Sequence, residues 1–260
     1  MKKYYIRIIL ILSVVVLSIK ISLIAENKVK TCHILIPLCD NLNQGIVKVN
    51  SSLGNGQNPA TNLYWGAYYG FYSYIKRNSG NWKIIANIKN PEVYILNRLI
   101  LKHKTKNFYI CADAYDGSYI NICVNDFLSY LSGKKKLEIQ NRTDLFFGKE
   151  SDLIIYSGHN GLMDFTPETR FIFDNEKRKA VILACYSKNY FMPYLKNTKI
   201  EPMVWTNGLL APEGYLLKAV LDGWALNENA VVIWKKVSEA YSKYQNISIK
   251  SSNRIFTTGY

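Results

Sequence analysis

The sequence predicts a single α/β domain in which a mostly parallel central sheet carries helices on both faces. Short apolar runs without alternation, such as Leu153–Tyr156 and Val181–Ala184, are typical of strands that are buried on both sides. Strand-like runs alternate with helix-like stretches along the chain, which favours parallel pairing. The 260 residues contain no internal repeat and suffice for one sizeable hydrophobic core.

Residues 1–25 stand apart from this domain because they have the pattern of an export signal. Lys2, Lys3 and Arg7 form a basic start, and an apolar run covers residues 8–19. Small residues then precede Ala25, which is the order found in secretory signal peptides.

Two residues weaken the expected cleavage after Ala25. Leu23 occupies the minus-three position, where a small residue is preferred, and Lys20 interrupts the apolar stretch. The segment is therefore expected to be either a cleaved signal peptide or an uncleaved N-terminal membrane anchor through residues 8–25. Either outcome exports residues 26–260, the predicted α/β domain, to the periplasm, to the extracellular side or to the outer face of the inner membrane.

The chain is basic, with a formal net charge of +14 that falls to +10 when residues 1–25 are left out. Its cationic residues are scattered, and the only dense runs are Lys134–Lys136 and Lys177–Lys179. Neither run carries interleaved aromatic residues or a nucleic-acid-binding motif. A composition rich in Lys, Asn, Ile and Tyr accounts for the charge, so no nucleic-acid partner is expected.

The first elements after the signal mix strands with one helix. A compact apolar strand is expected at residues 33–38, and a loop rich in Gly and Asn at residues 50–62. Dense apolar and aromatic residues at 63–77 favour a buried helix. Two further strands are expected at residues 82–88 and 93–101.

The remaining elements continue the alternation. A strand is expected at residues 108–112 and a helix at 118–131, with Gly133 as its C-terminal stop. Pro212 suits the first turn of a later helix. Further strands are expected at residues 153–156, 181–184 and 203–206, and further helices at 211–227 and 228–244. The sequence leaves the order of the strands in the sheet open.

The cysteines and histidines do not indicate a metal or a redox motif. There are five cysteines, an odd number for an exported chain, and no CxxC pair. The three histidines, His33, His103 and His159, show no metal-ligand spacing. We therefore expect no metal and no cofactor.

Two predicted strands end in reactive side chains, one in His159 and the other in Cys185. Parallel sheets place their ligands at the carboxyl ends of the strands, and neighbouring strands lie about 5 Å apart. If these two strands are neighbours, the His159 imidazole can act as the base for a Cys185 nucleophile. The plain structural alternatives are a histidine that caps a turn and a small buried cysteine.

These two segments, IIYSGHNG at 154–161 and VILACYS at 181–187, resemble the cysteine peptidases of clan CD, such as caspases, gingipains, legumain, clostripain and separase. In that family a hydrophobic strand ends in His-Gly and the next in Ala-Cys. The resemblance implies a three-layer caspase-like sandwich and an endopeptidase that acts on a peptide or protein substrate. It also implies that His159 is the general acid/base and Cys185 the nucleophile.

The resemblance further implies an oxyanion site made of backbone N–H groups, one beside the histidine and one at the cysteine itself. In this chain Asn160 stands between His159 and the glycine, so Asn160 or Gly161 takes the place of the first donor. Four carboxylates are candidates for orienting the histidine or lining the pocket. They are Asp40, Asp113 and Asp116, which follow predicted strands, and Asp164, which follows His159 closely. Each is also explained as a turn former or helix cap.

Two alternatives to a caspase-like hydrolase stay open. One is a non-catalytic periplasmic or membrane-anchored binding protein that keeps the fold, in which Cys185 is buried or bridged to Cys39 or Cys111. The other is an enzyme acting on cell-envelope material through Asp113 or Asp164. Three polar or aromatic segments, at 41–45, 62–70 and 206–215, are further candidates for pocket walls, with aromatic faces for a peptide or a sugar ring.

Overall fold

The computed structural model describes residues 29–139, 145–167 and 170–260. The expected signal or anchor at residues 1–25 lies outside the described residues. Within the described ranges, no helix combines the length and the apolar character that a membrane crossing requires.

The described residues form ten strands and six helices. The strands are β1 (Lys30–Pro37), β2 (Trp82–Glu92), β3 (Ile95–His103), β4 (Phe108–Tyr115), β5 (Lys136–Glu138), β6 (Phe146–Gly148), β7 (Leu153–Ser157), β8 (Arg178–Leu183), β9 (Ile200–Thr206) and β10 (Phe256–Thr257). The helices are α1 (Phe71–Arg77), α2 (Ile120–Leu131), α3 (Ser187–Leu195), α4 (Gly214–Ala225), α5 (Ala230–Gln245) and α6 (Ile249–Ile255).

In the described part of the chain, eight of these strands make one sheet in the order β10-β9-β8-β7-β1-β4-β3-β2. The five central strands, from β9 to β4, are parallel to one another. The edges are antiparallel, with β3 and β2 on one side and β10 on the other. The predicted α/β class with a mostly parallel central sheet is confirmed.

The sheet is buried by two hydrophobic clusters to which successive strand residues contribute in alternation. Ile34 and Ile36 belong to one cluster, together with residues of α1, α4 and α5; we call it the α4 cluster. Leu35 belongs to the other, with residues of α2 and α3; we call it the α2 cluster. Because side chains of a strand alternate between faces, burial by both clusters explains the unbroken apolar runs of the central strands.

The predicted helix at 63–77 is wrong over its first half, because the helix begins only at Phe71. The backbone before it wraps around Asn62, whose carbonyl accepts hydrogen bonds from the amides of Trp65, Gly66 and Ala67. The Asn62 side chain also bonds both backbone groups of Cys39. An asparagine that offers the backbone such local partners competes with helix formation.

The predicted strand at 108–112 is too short, because β4 continues to Tyr115 and includes Asp113. Asp113 is fully buried, and its carboxylate accepts two hydrogen bonds from Arg98, at 2.6 and 2.8 Å. His33 Nε2 lies 3.0 Å from the same carboxylate. Burial raises the pKa of Asp113, but Arg98 and His33 lower it by more, so the carboxyl stays ionised. A charged residue continues this strand because its counterion lies opposite it on β3.

This buried pair yields a prediction about stability. Arg98→Ala leaves the Asp113 carboxylate buried without its main counterion, which should lower the free energy of unfolding by about 3–5 kcal/mol. Urea unfolding followed by tryptophan fluorescence measures the loss. The matched control is Glu92→Gln, since Glu92 is the half-exposed partner of the same arginine. That change should cost at most about 1 kcal/mol, and an equal effect of the two variants would contradict the argument.

Candidate active site

The strands that carry His159 and Cys185 are parallel neighbours. The pairing of β7 with β8 runs from Leu153 opposite Lys179 to Ser157 opposite Leu183. One further bond, from the Gly158 amide to the Leu183 carbonyl at 3.1 Å, continues the ladder. His159 and Cys185 therefore each follow by two residues the last paired position of its strand, at the carboxyl edge of the sheet.

The His159 ring is held by a carboxylate. His159 is 5% exposed, and its Nε2 lies 2.8 Å from Asp164 Oδ2. The same oxygen accepts a bond from the Gly45 amide at 3.1 Å. When Nε2 carries the ring proton it donates to Asp164, and Nδ1 is then left with the lone pair that a base needs. Of the four candidate carboxylates, Asp164 is the one that contacts this histidine.

A short turn delivers Asp164 to the ring. After His159 the chain forms one 3-10 turn at Gly161–Met163, and the Asp164 amide bonds back to the Gly161 carbonyl. The Tyr156 hydroxyl donates to the His159 carbonyl at 2.6 Å. The backbone on each side of His159 is therefore fixed by hydrogen bonds.

Asn160 joins this turn to the cysteine. It is fully buried, and its Nδ2 donates to the Cys185 carbonyl at 2.7 Å. Its Oδ1 accepts from the Leu162 amide at 3.1 Å and so caps the 3-10 turn. One side chain thus ties the histidine segment to the cysteine segment.

Cys185 occupies the turn from β8 into α3. Its thiol is half-buried, and Sγ lies 3.4 Å from the Leu210 nitrogen and 3.6 Å from the Leu210 carbonyl oxygen. Tyr186, the next residue, has a left-handed backbone with φ of +48°, a conformation that side chains rarely adopt. The Tyr186 amide donates to the Gly208 carbonyl at 2.8 Å, which helps to hold this turn.

The turn is further anchored by two hydroxyls. Ser187 Oγ donates to the Ile182 carbonyl at 2.8 Å, and the Ser187 amide donates to Thr206 Oγ1 at 3.0 Å. The Thr206 hydroxyl donates to the Ala184 carbonyl. Cys185 is therefore positioned by the end of β9 as well as by its own strand.

The other four cysteines differ from Cys185 in burial. All five are free thiols, so no bridge joins Cys185 to Cys39 or Cys111. Burial raises the pKa of Cys32, Cys111 and Cys123 well above its usual value, and that of Cys39 to about 11. These four are protonated at neutral pH, and Cys185 is the one thiol that reaches the surface.

The two candidate oxyanion residues differ in what their amides face. The Gly161 N–H lies against the Tyr156 hydroxyl, where it opposes the rise in the pKa of Tyr156 that burial causes. A Cβ on Gly161 would come within about 3.0 Å of Ile120 and Phe165, so this residue is packed inward. Within the described residues, the amides of Asn160 and Cys185 have no acceptor.

The remaining carboxylates are engaged elsewhere. Asp40 accepts bonds from the amides of Leu42 and Asn43 and from the side chain of Gln57. Asp116 caps the short turn at Gly117–Tyr119 through the Ser118 amide. Asp113 lies inside β4 rather than beyond a strand end, so the expectation that it lines this edge is wrong.

One group of potential metal ligands occurs in the described residues, but its chemistry opposes a cation. Ligand atoms of His33, Cys111 and Asp113 lie within 4.8 Å of one another. The Arg98 guanidinium already contacts both oxygens of Asp113, and burial keeps the Cys111 thiol protonated. A positive charge at that position would be repelled by Arg98.

Sequence reasoning missed three parts of this site. The side chain of Asn160, the amide of Gly45 and the hydroxyl of Thr206 each position a reactive residue from another segment. The polar stretch after the first strand and the stretch at 206–215 were the available signals, since both follow strand ends. A cleft of about 570 Å³ lined by Lys177, Lys179 and Lys199 lies at the opposite edge of the sheet and contains neither His159 nor Cys185.

No protein-family model, curated protein or solved structure matches this chain. The case for the site therefore depends on the geometry of its own residues.

The glycine before the histidine provides a test of that geometry. A Cβ on Gly158 would lie 2.9 Å from Pro37 Cγ and 3.1 Å from the Pro37 carbonyl, at the end of β1. Gly158→Ala should therefore displace the His159 segment and lower the free energy of unfolding by about 1–3 kcal/mol. Gly208→Ala is the control, because nothing lies within 4 Å of a Cβ there. Thermal unfolding of both variants decides, and equal stability would contradict the crowding argument.

The Asn160 side chain provides a second test. Asn160→Asp keeps an oxygen for the Leu162 amide but replaces the donor to Cys185 by an acceptor, which sets a carboxylate oxygen against a carbonyl oxygen. The buried carbonyl loses its partner, so we expect a loss of about 1–3 kcal/mol or more in urea unfolding. Asn189→Asp, an exposed position in the first turn of α3, is the control for the added charge and should not lower the urea midpoint, because a carboxylate is favourable near a helix N-terminus. A midpoint for Asn160→Asp that equals the control's would refute the role of the side chain.

Proposed function

We propose that this protein is a caspase-like cysteine hydrolase that cleaves peptide bonds in peptides or proteins. Cys185 is the nucleophile, His159 the general acid/base and Asp164 the residue that orients the histidine. The observation that carries the proposal is the pairing of β7 with β8, which brings His159 and Cys185 to the ends of neighbouring strands at one sheet edge, with Asp164 bound to Nε2 of the ring.

The proposed reaction follows from the positions of the donors and acceptors. His159 takes the proton of the Cys185 thiol, and Sγ forms a bond to the carbonyl carbon of the substrate amide. We assign the amide of Cys185, which lacks an acceptor within the described residues, as a donor to the oxyanion. His159 then gives its proton to the leaving amine, and the carbon–nitrogen bond breaks. Water, deprotonated by His159, hydrolyses the thioester and regenerates the thiol.

The finer fold assignment is also part of this proposal. The sheet is mostly parallel, and a hydrophobic cluster that includes helix residues covers each of its faces. This arrangement supports the three-layer caspase-like sandwich that the resemblance implies. The assignment to clan CD depends on the segments at 154–161 and 181–187 alone. The chain departs from the family pattern in two ways, the short spacing of 26 residues from His159 to Cys185 and the presence of Asn160, whose side chain donates to the Cys185 carbonyl.

We propose that the domain acts outside the cytoplasm, on the basis of residues 1–25. The basic start and the apolar run at 8–19 support export, with the domain either released after cleavage or held at the inner membrane by an uncleaved anchor.

Selective thiol labelling tests the proposal. At neutral pH the full-length protein should react with iodoacetamide at one site, Cys185, because the other four thiols are buried and protonated. Intact-mass and peptide mass spectrometry give the site and the rate. Cys185→Ala should remove the label, and His159→Ala should slow it by about a hundredfold.

Asp164→Asn should slow labelling by roughly tenfold, because the ring loses the carboxylate that fixes its tautomer. Asp116→Asn is the matched control, since Asp116 lies near the same edge but contacts no histidine. Equal labelling of Cys185 with and without His159 would sink the activated-nucleophile assignment. Incubation with a peptide library tests the reaction itself. If labelling is fast and His159-dependent while no peptide is cleaved, the peptidase assignment is wrong.

A further inference from the structure

A second cavity, of about 400 Å³, lies between the loop at residues 57–60, helix α1 and the β2–β3 hairpin. It contains neither His159 nor Cys185. Its lining combines two aromatic side chains with side-chain amides and carries a single charged residue, Lys89. The principal lining residues are Gln57, Asn58, Trp65, Tyr72, Asn87 and Asn90. The volume is that of a small-molecule site, for which about 300–1,000 Å³ is typical.

A relay of hydrogen bonds orients one of these amides. The indole N–H of buried Trp65 donates to Asn97 Oδ1 at 3.0 Å, and Asn97 Nδ2 donates to Asn87 Oδ1 at 2.7 Å. This order fixes which end of Asn87 is its oxygen. Within the described residues, Asn87 Nδ2 has no acceptor of its own, so the relay ends in a free donor at the cavity.

The loop side of the cavity is fixed in the same way. Asn58 Oδ1 accepts from the Ala60 amide at 3.1 Å, so its Nδ2 is the end without a partner in the described structure. Gln57 Nε2 donates to Asp40 at 2.9 Å and to Asp116 at 2.8 Å, which leaves Gln57 Oε1 as an acceptor. The cavity thus offers oriented donors and an oriented acceptor that the protein does not use.

The aromatic part of the lining is a stacked pair of rings. The rings of Trp65 and Tyr72 are within 13° of parallel, with centroids 6.3 Å apart. Trp65 is buried and Tyr72 half-buried, so the partly exposed Tyr72 ring presents most of this wall to a ligand. The Lys76 ammonium lies 5.9 Å from the Tyr72 centroid and adds a cation–π contact that steadies the ring.

We propose that this cavity binds a saccharide. Each sugar hydroxyl is both a donor and an acceptor, which matches donors and an acceptor set close together on side-chain amides. The C–H face of a sugar ring is apolar and suits the exposed part of the Tyr72 ring. Because the lining contains no carboxylate and one lysine, Lys89, the site takes a neutral or an acidic sugar.

A peptide strand is the competing ligand, and the backbone argues against it. A peptide that adds to the edge strand β2 needs an unbroken ladder of backbone groups. At the cavity the pairing of β2 shifts register between Lys89 and Glu92, and Asn90 adopts a left-handed φ of +47°. The backbone ladder of β2 is therefore interrupted at the cavity, so a ligand there would be bound by side chains rather than by the backbone.

A glycan array carrying neutral, uronic-acid and sialic-acid oligosaccharides tests the proposal with the full-length protein. We expect binding to at least one class of oligosaccharide, and titration calorimetry with the strongest binder gives its affinity. Asn87→Asp keeps the oxygen that Asn97 needs and removes the free donor, so it should weaken binding by about tenfold. Tyr72→Ala should weaken it at least as much, through loss of the aromatic face.

Asn81→Asp controls for the added charge, because Asn81 is exposed at the other end of β2. Thermal unfolding shows whether each variant folds. If Tyr72→Ala does not fold, the binding measured for Asn87→Asp tests the proposal. No binding to any glycan, or binding that Asn87→Asp leaves unchanged, overturns the proposal. The proposal is also overturned if peptides from a peptide array bind at this cavity and glycans do not. Cys185→Ala should bind glycans like the wild type, so this result is independent of the proposed hydrolase activity.

Discussion

The parallel register of β7 with β8 is the constraint on which the candidate active site depends. Ile155 and Val181 point into the α4 cluster, and Tyr156 and Ile182 point into the α2 cluster. A shift of one residue would exchange these faces, so that each side chain would meet the packing partners of the opposite cluster. The two hydrophobic clusters therefore fix the register, and the register brings His159 and Cys185 to matching positions beyond the ladder. Packing far from the site determines the geometry of the reactive groups.

The sequence predicted the parts of this arrangement that depend on local pattern. Strands buried on both faces lose the alternation of polar and apolar residues, so β7 and β8 were visible as continuous apolar runs. The order of the strands depends on contacts between distant segments, and no local pattern encodes it. The helix predicted at 63–77 was too long, because a high density of apolar residues indicates burial but not backbone conformation. The hydrogen bonds of the Asn62 side chain determine the backbone conformation at the start of this segment.

The carboxylates illustrate the same limit. Asp40, Asp116 and Asp164 all follow ordered segments, and residue type and spacing do not distinguish a turn former from a partner of His159. The structure separates them because the 3-10 turn at Gly161–Met163 returns the chain by the right distance for Asp164 alone. Asp113 was misplaced because a charge ordinarily marks a strand end. Its counterion, Arg98, is 15 residues earlier in the sequence and becomes visible only when β3 pairs with β4.

Asn160, between His159 and Gly161, is the residue that the sequence made most difficult to interpret. Asn160 has a fully buried side chain with a hydrogen-bond partner at each end, the Cys185 carbonyl and the Leu162 amide. The first bond holds the two strand ends together, and the second starts the turn that carries Asp164 to the ring. Burying an asparagine costs little free energy when both polar ends of its side chain are hydrogen-bonded, whereas removing one of its partners is strongly destabilising. Asn160 therefore positions the Cys185 segment and the Asp164 carboxylate at once, and the local backbone is built around it.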